Sequence, residues 1–270
     1  MPESPEVQAL AEFLAEHAVS RRIETVDLDE FRALKTRDRP LAELDGATIT
    51  GIRRFGKHLD LQTDAAHLVI SFGRAGWARW DGEAAPDDAP VIARIPLNGA
   101  PHGALLELTD AGDWLSLGLS VVDDPLEVAA LAKLGPDPLD EAFDRAALDR
   151  AVTGRRKQLK ALLQEQETLA GIGNAYSDEI LHPAKLSPLA HGSALDADER
   201  ERLFLAVTTT LRDAVAARRG IPPHRLKEAK VAAMRVHGRA GEACPVCGDT
   251  ILDHDAAASW QYCPTCEAAG

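Results

Sequence analysis

Residues 244–266, CPVCGDTILDHDAAASWQYCPTC, hold all four cysteines of the 270-residue chain. Cys244, Cys247, Cys263 and Cys266 form two Cys-x-x-Cys pairs with fifteen residues between them. Each pair presents two thiolates from one tight turn, and two such turns complete a tetrahedron around Zn2+. The intervening segment is the length of a β-hairpin, which brings the turns together. Four thiolates leave no open coordination position, so the expected zinc is structural. Disulfides suit an oxidising compartment, and a redox Cys-x-x-Cys wants a neighbouring β-α-β pattern that is absent. His237 and His254 read as surface residues, not competing ligands.

Upstream of this module the charge is uneven. The net charge is −13, which by its sum counts against a nucleic-acid partner. Residues 82–150 carry fourteen acids against four bases, whereas 212–239 carry eight bases against two acids. Residues 151–164 hold Arg155, Arg156, Lys157 and Lys160 and no acid. The two basic stretches flank AGIGN (170–174) and lead into the cysteine module, which predicts a phosphate-facing side. The glycines allow close backbone approach, and the free N–H groups of the helix starting near Asn174 suit an anion. Asn174 either caps that helix or turns its amide to a phosphate.

Further back, ATITGIRRFGKHLDLQTD (47–64), AHLVISF and PVIARIPL alternate like strands, and ALLELTDAGDWLSLGLSV reads as a hairpin turning at Ala111-Gly112. From Pro125 the period becomes helical, punctuated by GPDP (135–138). Residues 196–219 read as a long helix capped by Asp196 or Asp198 and closed by Gly220. The chain opens MPESPEV. Ser4 is the expected N-cap, Pro5 the first helical residue, and Val7, Leu10, Ala11, Leu14 and Ala18 the buried stripe. No run of about 18 apolar residues is present, so no membrane span is expected. The start lacks a basic, apolar leader, which makes a cytoplasmic protein the default.

In this order, MPESPEV (1–7), RRFGKHLDL (53–61), AGIGNAYSDEIL (170–181), VHGRAGEAC (236–244) and the terminal four-cysteine finger resemble the formamidopyrimidine-DNA glycosylase / endonuclease VIII family, in a divergent bacterial-type form. The resemblance implies an α+β multidomain fold. Its parts would be an N-terminal β-sandwich with a leading helix over 1–124, a helix–two-turns–helix domain over 125–235, and a zinc-finger β-hairpin over 236–270. Damaged duplex DNA would lie between the lobes of a monomer, which implies a nucleoid-associated location. The implied activity is base-excision repair: a DNA glycosylase with abasic-site lyase activity, running β- and δ-elimination through a Schiff base. Removal of Met1 would make Pro2 the nucleophile, with Glu3 as general acid/base and Lys57 at the phosphate or sugar beside the lesion. Asn174 would grip a phosphate, with Lys160 and Arg239 as further DNA contacts.

The chemistry fits these residue types. An N-terminal amine has a pKa near about 8, so much of it is neutral and nucleophilic near neutral pH. A secondary amine at C1′ gives an iminium, the electron sink for loss of the base and then of the 3′ phosphate. Reaching C1′ requires flipping the nucleotide out of the stack.

Three departures concern lesion handling. Where the family has His-Leu-Gly-Met, this chain has SFGRAG (71–76), which puts Arg74 in the place of the void-filling Met. The Arg-Arg-Phe-Gly loop facing the opposite base has no counterpart in LSLGLSVVDD (115–124). Ala258, in AASW (257–260), stands where a phosphate-gripping arginine is expected. Trp260 reads as a core residue of the finger. These losses disfavour an oxidised-purine specialist. They leave open a relaxed glycosylase, a lyase-only enzyme, or a non-catalytic binder of damaged or single-stranded DNA. The acidic 82–150 region could also dock a protein partner.

Overall fold

Alternating apolar residues decide the first half of the chain. The computed structural model describes residues 1–81, 89–98, 103–254 and 260–267. Helix α1 (Ser4–His17) is followed by strands β1 (Arg22–Ile23), β2 (Asp27–Leu28), β3 (Ile49–Phe55), β4 (His58–Thr63), β5 (His67–Ser71), β6 (Gly76–Trp80), β7 (Val91–Asn98), β8 (Ala104–Asp110) and β9 (Gly118–Val122). Then come helices α2 (Ala129–Ala132), α3 (Arg145–Val152), α4 (Leu159–Gln164), α5 (Asn174–Ala184), α6 (Ala197–Arg218) and α7 (Leu226–Ala233), and the strands β10 (Leu252–His254) and β11 (Trp260–Tyr262). No described helix is long and apolar enough to cross a membrane.

The chain forms two compact units, Met1–Lys133 with Arg218–Ala229, and Leu134–Ala217 with Lys230–Gly270. The segments 125–235 and 236–270, expected as separate domains, thus lie mostly in the second unit, while Arg218–Ala229 lies in the first.

The first unit holds two antiparallel sheets, β3-β4-β5-β9 and β1-β7-β8-β6, with β2 also paired to β7. Leu59, Leu61, Leu68, Ile70, Leu119 and Val121 of one sheet share a core with Ile95, Leu97, Leu106 and Leu108 of the other. Their i, i+2 spacing is what places them on one face of each strand. Val7, Leu10 and Leu14 of α1 enter the same core. The hairpin expected at Ala111-Gly112 does not form. β8 pairs with β6 and β7, β9 pairs with β5, and residues 111–117 cross from one sheet to the other. The cause is Asp110. Its carboxylate accepts from the N–H groups of Gly112, Ser116 and Leu117 at 2.8–2.9 Å, and so folds the connection into a loop.

The expected cap of α1 shifts by one residue. Glu3 is the N-cap, and a reciprocal capping box joins it to Glu6. Ser4 is instead the first helical residue, and its Oγ is buried without a hydrogen-bond partner. The box prevails because it satisfies two helix-end donors at once.

In the second unit, Leu159, Leu163, Ile172, Tyr176, Ile180, Leu203, Val207 and Leu211 form the core. Of the two expected caps of α6, Asp196 is the one used, and Glu199 completes a box with it, each accepting the other's N–H. Many acids of 82–150 cap turns here: Asp137, Asp140 and Asp144 each accept a nearby N–H. Residues 82–88 and 99–102 of that region lie outside the described residues. Helix α5 organises the unit. The buried Glu179 carboxylate accepts the N–H groups of Arg235, Val236 and His237 at 2.9–3.1 Å. Replacing Glu179 with alanine strands three donors, so Glu179→Ala is expected to lower the unfolding free energy by about 3 kcal/mol, against about 1 kcal/mol for Asp196→Ala, which loses only a cap. Urea unfolding of the full chain measures both.

Candidate active site and metal centre

The N-terminal arm is folded into the first unit. Pro2, Glu3 and Glu6 are buried, and Met1 ahead of them is exposed. Glu3 has extended backbone (φ −117°, ψ −176°), and its N–H donates to Glu6 Oε2 at 3.0 Å. Glu6 Oε1 lies 2.6 Å from Arg218 Nε, and both side chains are withdrawn from water. Pro2 and Glu6 border a cavity of about 10 Å³, room for one water, closed by apolar walls from α1, β6 and the 223–226 segment. While Met1 is attached, the Pro2 nitrogen is an amide and has no lone pair to offer. Once freed, it is a secondary amine beside two carboxyl groups.

Lys57 sits half-buried in the β3–β4 turn. Arg54 latches that turn to α1, donating to Gln8 Oε1 at 2.8 Å and to the Gly56 carbonyl at 2.9 Å. The helix that follows Pro2 and Glu3 and the turn that carries Lys57 are thus linked through Arg54. Burial pushes the neighbouring His58 imidazole below its usual range, and the Lys57 charge lowers it further.

Arg74 is exposed in the turn between β5 and β6, and its N–H donates to Ser116 Oγ at 2.8 Å. Ser116 Oγ in turn donates to Asp110 Oδ2 at 2.9 Å. The two turns touch closely: at Gly73 (φ +55°) a Cβ would lie 2.2 Å from the Ser116 carbonyl oxygen. Burial raises the Asp110 carboxyl, but the donors from Ser116, Gly112 and Leu117 outweigh it and hold the group below the usual carboxylate range. On this braced platform Trp114 is 86% exposed, beside Arg74's turn. Sequence reasoning overlooked Trp114 by taking 111–112 as a hairpin tip; the acid two residues before a Gly-Asp-Trp run was the available signal.

In the second unit Lys160 is not a surface contact. It is buried, and its ammonium donates to the Asn174 carbonyl at 3.1 Å, Ser177 Oγ at 2.9 Å and Asp178 Oδ1 at 2.5 Å. A lysine needed to neutralise a buried aspartate is not available to a phosphate. Gly173, not Asn174, is the N-cap of α5; Asn174 is half-buried and accepts from Gln164 Nε2 at 3.2 Å. Arg239 is half-buried against its own loop, donating to the Met234 carbonyl at 3.3 Å. The basic stretches are thinner than their counts suggest. Arg155 and Lys157 both pair with Glu165, Arg219 pairs with Glu12, and Lys230 is buried over the Tyr176 ring. Ala258 lies outside the described residues.

The cysteines converge. Cys244 Sγ is 3.8 Å from Cys266 Sγ, and Cys247 Sγ is 3.4 Å from Cys263 Sγ. A tetrahedron with Zn–S bonds of about 2.3 Å has edges of about 3.8 Å, so the sulfur set fits such an ion. β10 and β11 form the antiparallel hairpin between the pairs. His182 of α5 joins the cluster, its Nε2 3.2 Å from Cys244 Sγ, and it lies with Cys244, Cys263 and Cys266 within 4.8 Å. Burial raises the Cys244 thiol, but N–H groups of Cys247 and Val246, with the His182 ring, hold it down at about 5. Cys263 and Cys266 are pushed up by burial and by neighbouring sulfurs. A cation bound here would have to displace the remaining thiol protons. His182, far upstream of the finger, gave no signal in the sequence. His237 is no plain surface residue, since its Nδ1 is 2.7 Å from Asp178 Oδ2. His254 packs on Trp260 at 4.1 Å, and Trp260 is half-buried.

Comparison with known proteins agrees with this anatomy. The formamidopyrimidine-DNA glycosylase N-terminal domain matches residues 1–111, and the formamidopyrimidine-DNA glycosylase H2TH domain matches residues 134–223. A formamidopyrimidine-DNA glycosylase of Sphingopyxis alaskensis is 33% identical over 99% of this chain and 100% of its own length. An uncharacterized formamidopyrimidine-DNA glycosylase-like protein of Mycobacterium tuberculosis is 44% identical over 51% of this chain and 86% of its own. Among solved structures, Lactococcus lactis Fpg (MutM) in complex with N7-benzyl-Fapy-dG-containing DNA superposes with a TM-score of 0.85 at 25% identity, covering 99% of this chain and 100% of that one. The MutM (Fpg) protein of Thermus thermophilus superposes at 0.82 with 29% identity, covering both chains fully.

Of the four tryptophans, Trp77 and Trp80 are 9% and 7% exposed and Trp260 is half-buried, so Trp114 should dominate the emission that acrylamide quenches. Trp114→Phe is expected to remove most of that quenchable component. A variant that quenches like wild type would show Trp114 to be shielded.

Proposed function

The chain belongs to the formamidopyrimidine-DNA glycosylase / endonuclease VIII family and is a DNA glycosylase for damaged DNA, and we propose that it works through Pro2 as a Schiff-base nucleophile. The observation that carries the assignment is the burial of Pro2 and Glu3 within the N-terminal unit.

The steps follow from the groups in place. With Met1 removed, the Pro2 nitrogen attacks C1′, the bond from C1′ to the damaged base breaks with its electron pair leaving on the base, and the proton of the attacking nitrogen passes to the departing base, directly or through water. Glu3 donates a proton to the sugar ring oxygen as the C1′–O4′ bond opens, leaving an iminium between Pro2 and C1′. That cation acidifies C2′–H. Loss of this proton, taken by Glu3 or water, expels the 3′ phosphate, and a second elimination at C4′ expels the 5′ phosphate. Lys57, latched to α1 through Arg54, supplies positive charge to the phosphate or sugar as these bonds break. Asn174 stands at the N-terminus of α5, where backbone N–H groups and an amide suit one phosphate. Arg239 serves as a lesser contact, and Lys160 supports α5 from inside.

The void left by the flipped nucleotide is filled by Trp114 and Arg74. The 111–117 connection contains no basic residue, so it stacks on neighbouring bases and does not read the opposite base by hydrogen bonds. This favours a relaxed glycosylase over a specialist for one base pair. In the finger, Cys244, Cys247, Cys263 and Cys266 hold a structural Zn2+, and the His182 ring N–H donates to the Cys244 sulfur. The protein acts as a monomer in the cytoplasm, on the nucleoid.

Borohydride trapping on abasic-site DNA, single- and double-stranded, tests the mechanism. Wild type should give a covalent adduct, Pro2→Gly none, and Glu3→Gln a weaker one. Protein shown by mass to lack Met1 that binds DNA without forming an adduct would favour the non-catalytic alternative. The metal reading has its own test. Cobalt(II)-exchanged protein should show a four-sulfur spectrum that His182→Gln leaves in place, while metal loss to chelator quickens; a shift in the ligand-field bands would make His182 a ligand.

A further inference from the structure

We propose that Arg218 is a positioning residue for the nucleophile, acting through Glu6; this rests on the Pro2 reading above. Arg218 is 2% exposed, and its Nε lies 2.6 Å from Glu6 Oε1. Taking a guanidinium and a carboxylate out of water is costly even when they pair, and an apolar pair would stabilise the fold as well or better. The adjacent Arg219 shows the contrast. It is exposed, grips Glu12 through two bonds of 2.6 and 3.0 Å, and already latches this segment to α1. Arg218 is therefore not needed as a fastener.

Its consequence runs through the second oxygen of Glu6. Glu6 Oε2 accepts the Glu3 N–H at 3.0 Å, and that N–H belongs to the peptide plane joining Pro2 to Glu3. A planar peptide pinned at its N–H leaves the terminal proline few ways to move. The pyrrolidine ring fixes φ. Once Met1 is gone, the torsion about the Pro2 Cα–C bond is the one that remains. It is confined by the small cavity, two of whose walls, Pro223 and Leu226, come from the segment that Arg218 begins. The guanidinium holds the carboxylate, the carboxylate holds the peptide, and the peptide aims the amine. Near-attack geometry is worth orders of magnitude in rate, so a loosened amine should react more slowly at unchanged DNA affinity.

The test is single-turnover trapping on abasic-site DNA with full-length protein shown by mass to lack Met1, recording rate and half-saturating DNA concentration. Arg218→Met should slow trapping by ~10-fold or more, with half-saturation held within ~2-fold. Arg218→Lys, which keeps the charge, should recover part of the rate. Glu6→Gln should slow trapping similarly, and the double variant Glu6→Gln/Arg218→Met should be no slower than the slower single. Trapping by Arg218→Met at the wild-type rate overturns the proposal, as do losses that multiply in the double variant or a loss that appears only in DNA affinity. Should Arg218→Met fail to fold, the double variant, which buries no lone charge, and Arg218→Lys decide the matter. A wild-type protein that traps no better than Pro2→Gly overturns the proline mechanism itself, an outcome distinct from a trapping wild type with an indifferent Arg218.

Discussion

A carboxylate that leaves water must be met by donors, and the ion pair of Glu6 with Arg218 is where this constraint shapes the first unit. The two residues come from distant parts of the chain. Without the pair, Glu6 would be a lone charge beneath the first turn of α1, and the capping box it forms with Glu3 would lose its anchor. The presence of Arg218–Ala229 in the N-terminal unit follows from the same need. The unit draws a late segment of the chain into its core, Leu226 among the buried residues, to close around the N-terminal arm.

The same constraint, met differently, holds the second unit together. Three side chains of α5 face inward. Asp178 is answered by Lys160 and by the His237 ring, Glu179 by three backbone N–H groups, and His182 by a cysteine sulfur. Apart from Lys160 and the Gln261 N–H that also donates to Asp178, these partners lie in the 235–244 stretch that leads into the finger. A single helix turn and a half thus fixes where the metal module begins. The backbone at 235–237 has no sheet or helix to satisfy it, and Glu179 supplies what secondary structure would otherwise provide. Glu267 completes the pattern from the other side. Its carboxyl is pushed up to about 8 by burial and by nearby Asp178 and Cys244, and it accepts the Cys263 N–H at 2.7 Å.

What could be read from sequence was what depends on period and spacing. The β-strands, the α1 stripe, the Asp196 cap of α6 and the finger hairpin all follow from residues within a few positions of one another, and each appears in the structure. The failures share a cause. The hairpin at Ala111-Gly112, the availability of Lys160 and the surplus of basic charge were judged locally, yet each depends on a partner that periodicity does not reveal. Asp110 bends a loop that alternation alone would close into a hairpin, Asp178 withdraws Lys160 from the surface, and Glu165 occupies Arg155 and Lys157 together. The site was legible where short motifs carry it, at Pro2-Glu3 and at the cysteines. It was illegible at Trp114, Arg218 and His182, whose roles arise only from tertiary neighbours.

That consumption of charge bears on how such a protein can hold DNA. A net charge of −13, with Arg155, Lys157 and Arg219 already paired to acids at the surface, leaves modest counterion release as a source of affinity. In the proposed mode of action, affinity draws instead on a contact that salt screens little: stacking by the exposed Trp114, carried on a loop that Asp110 holds through four bonds. Rigidity matters because an inserted side chain that must also be ordered loses part of its stacking energy to entropy. Asp110 removes the backbone share of that cost in advance, because it fixes the loop on either side of Trp114. The acid-rich 82–150 region is therefore no contradiction of a DNA-repair role, since one of its buried acids builds the loop that carries the proposed stacking residue.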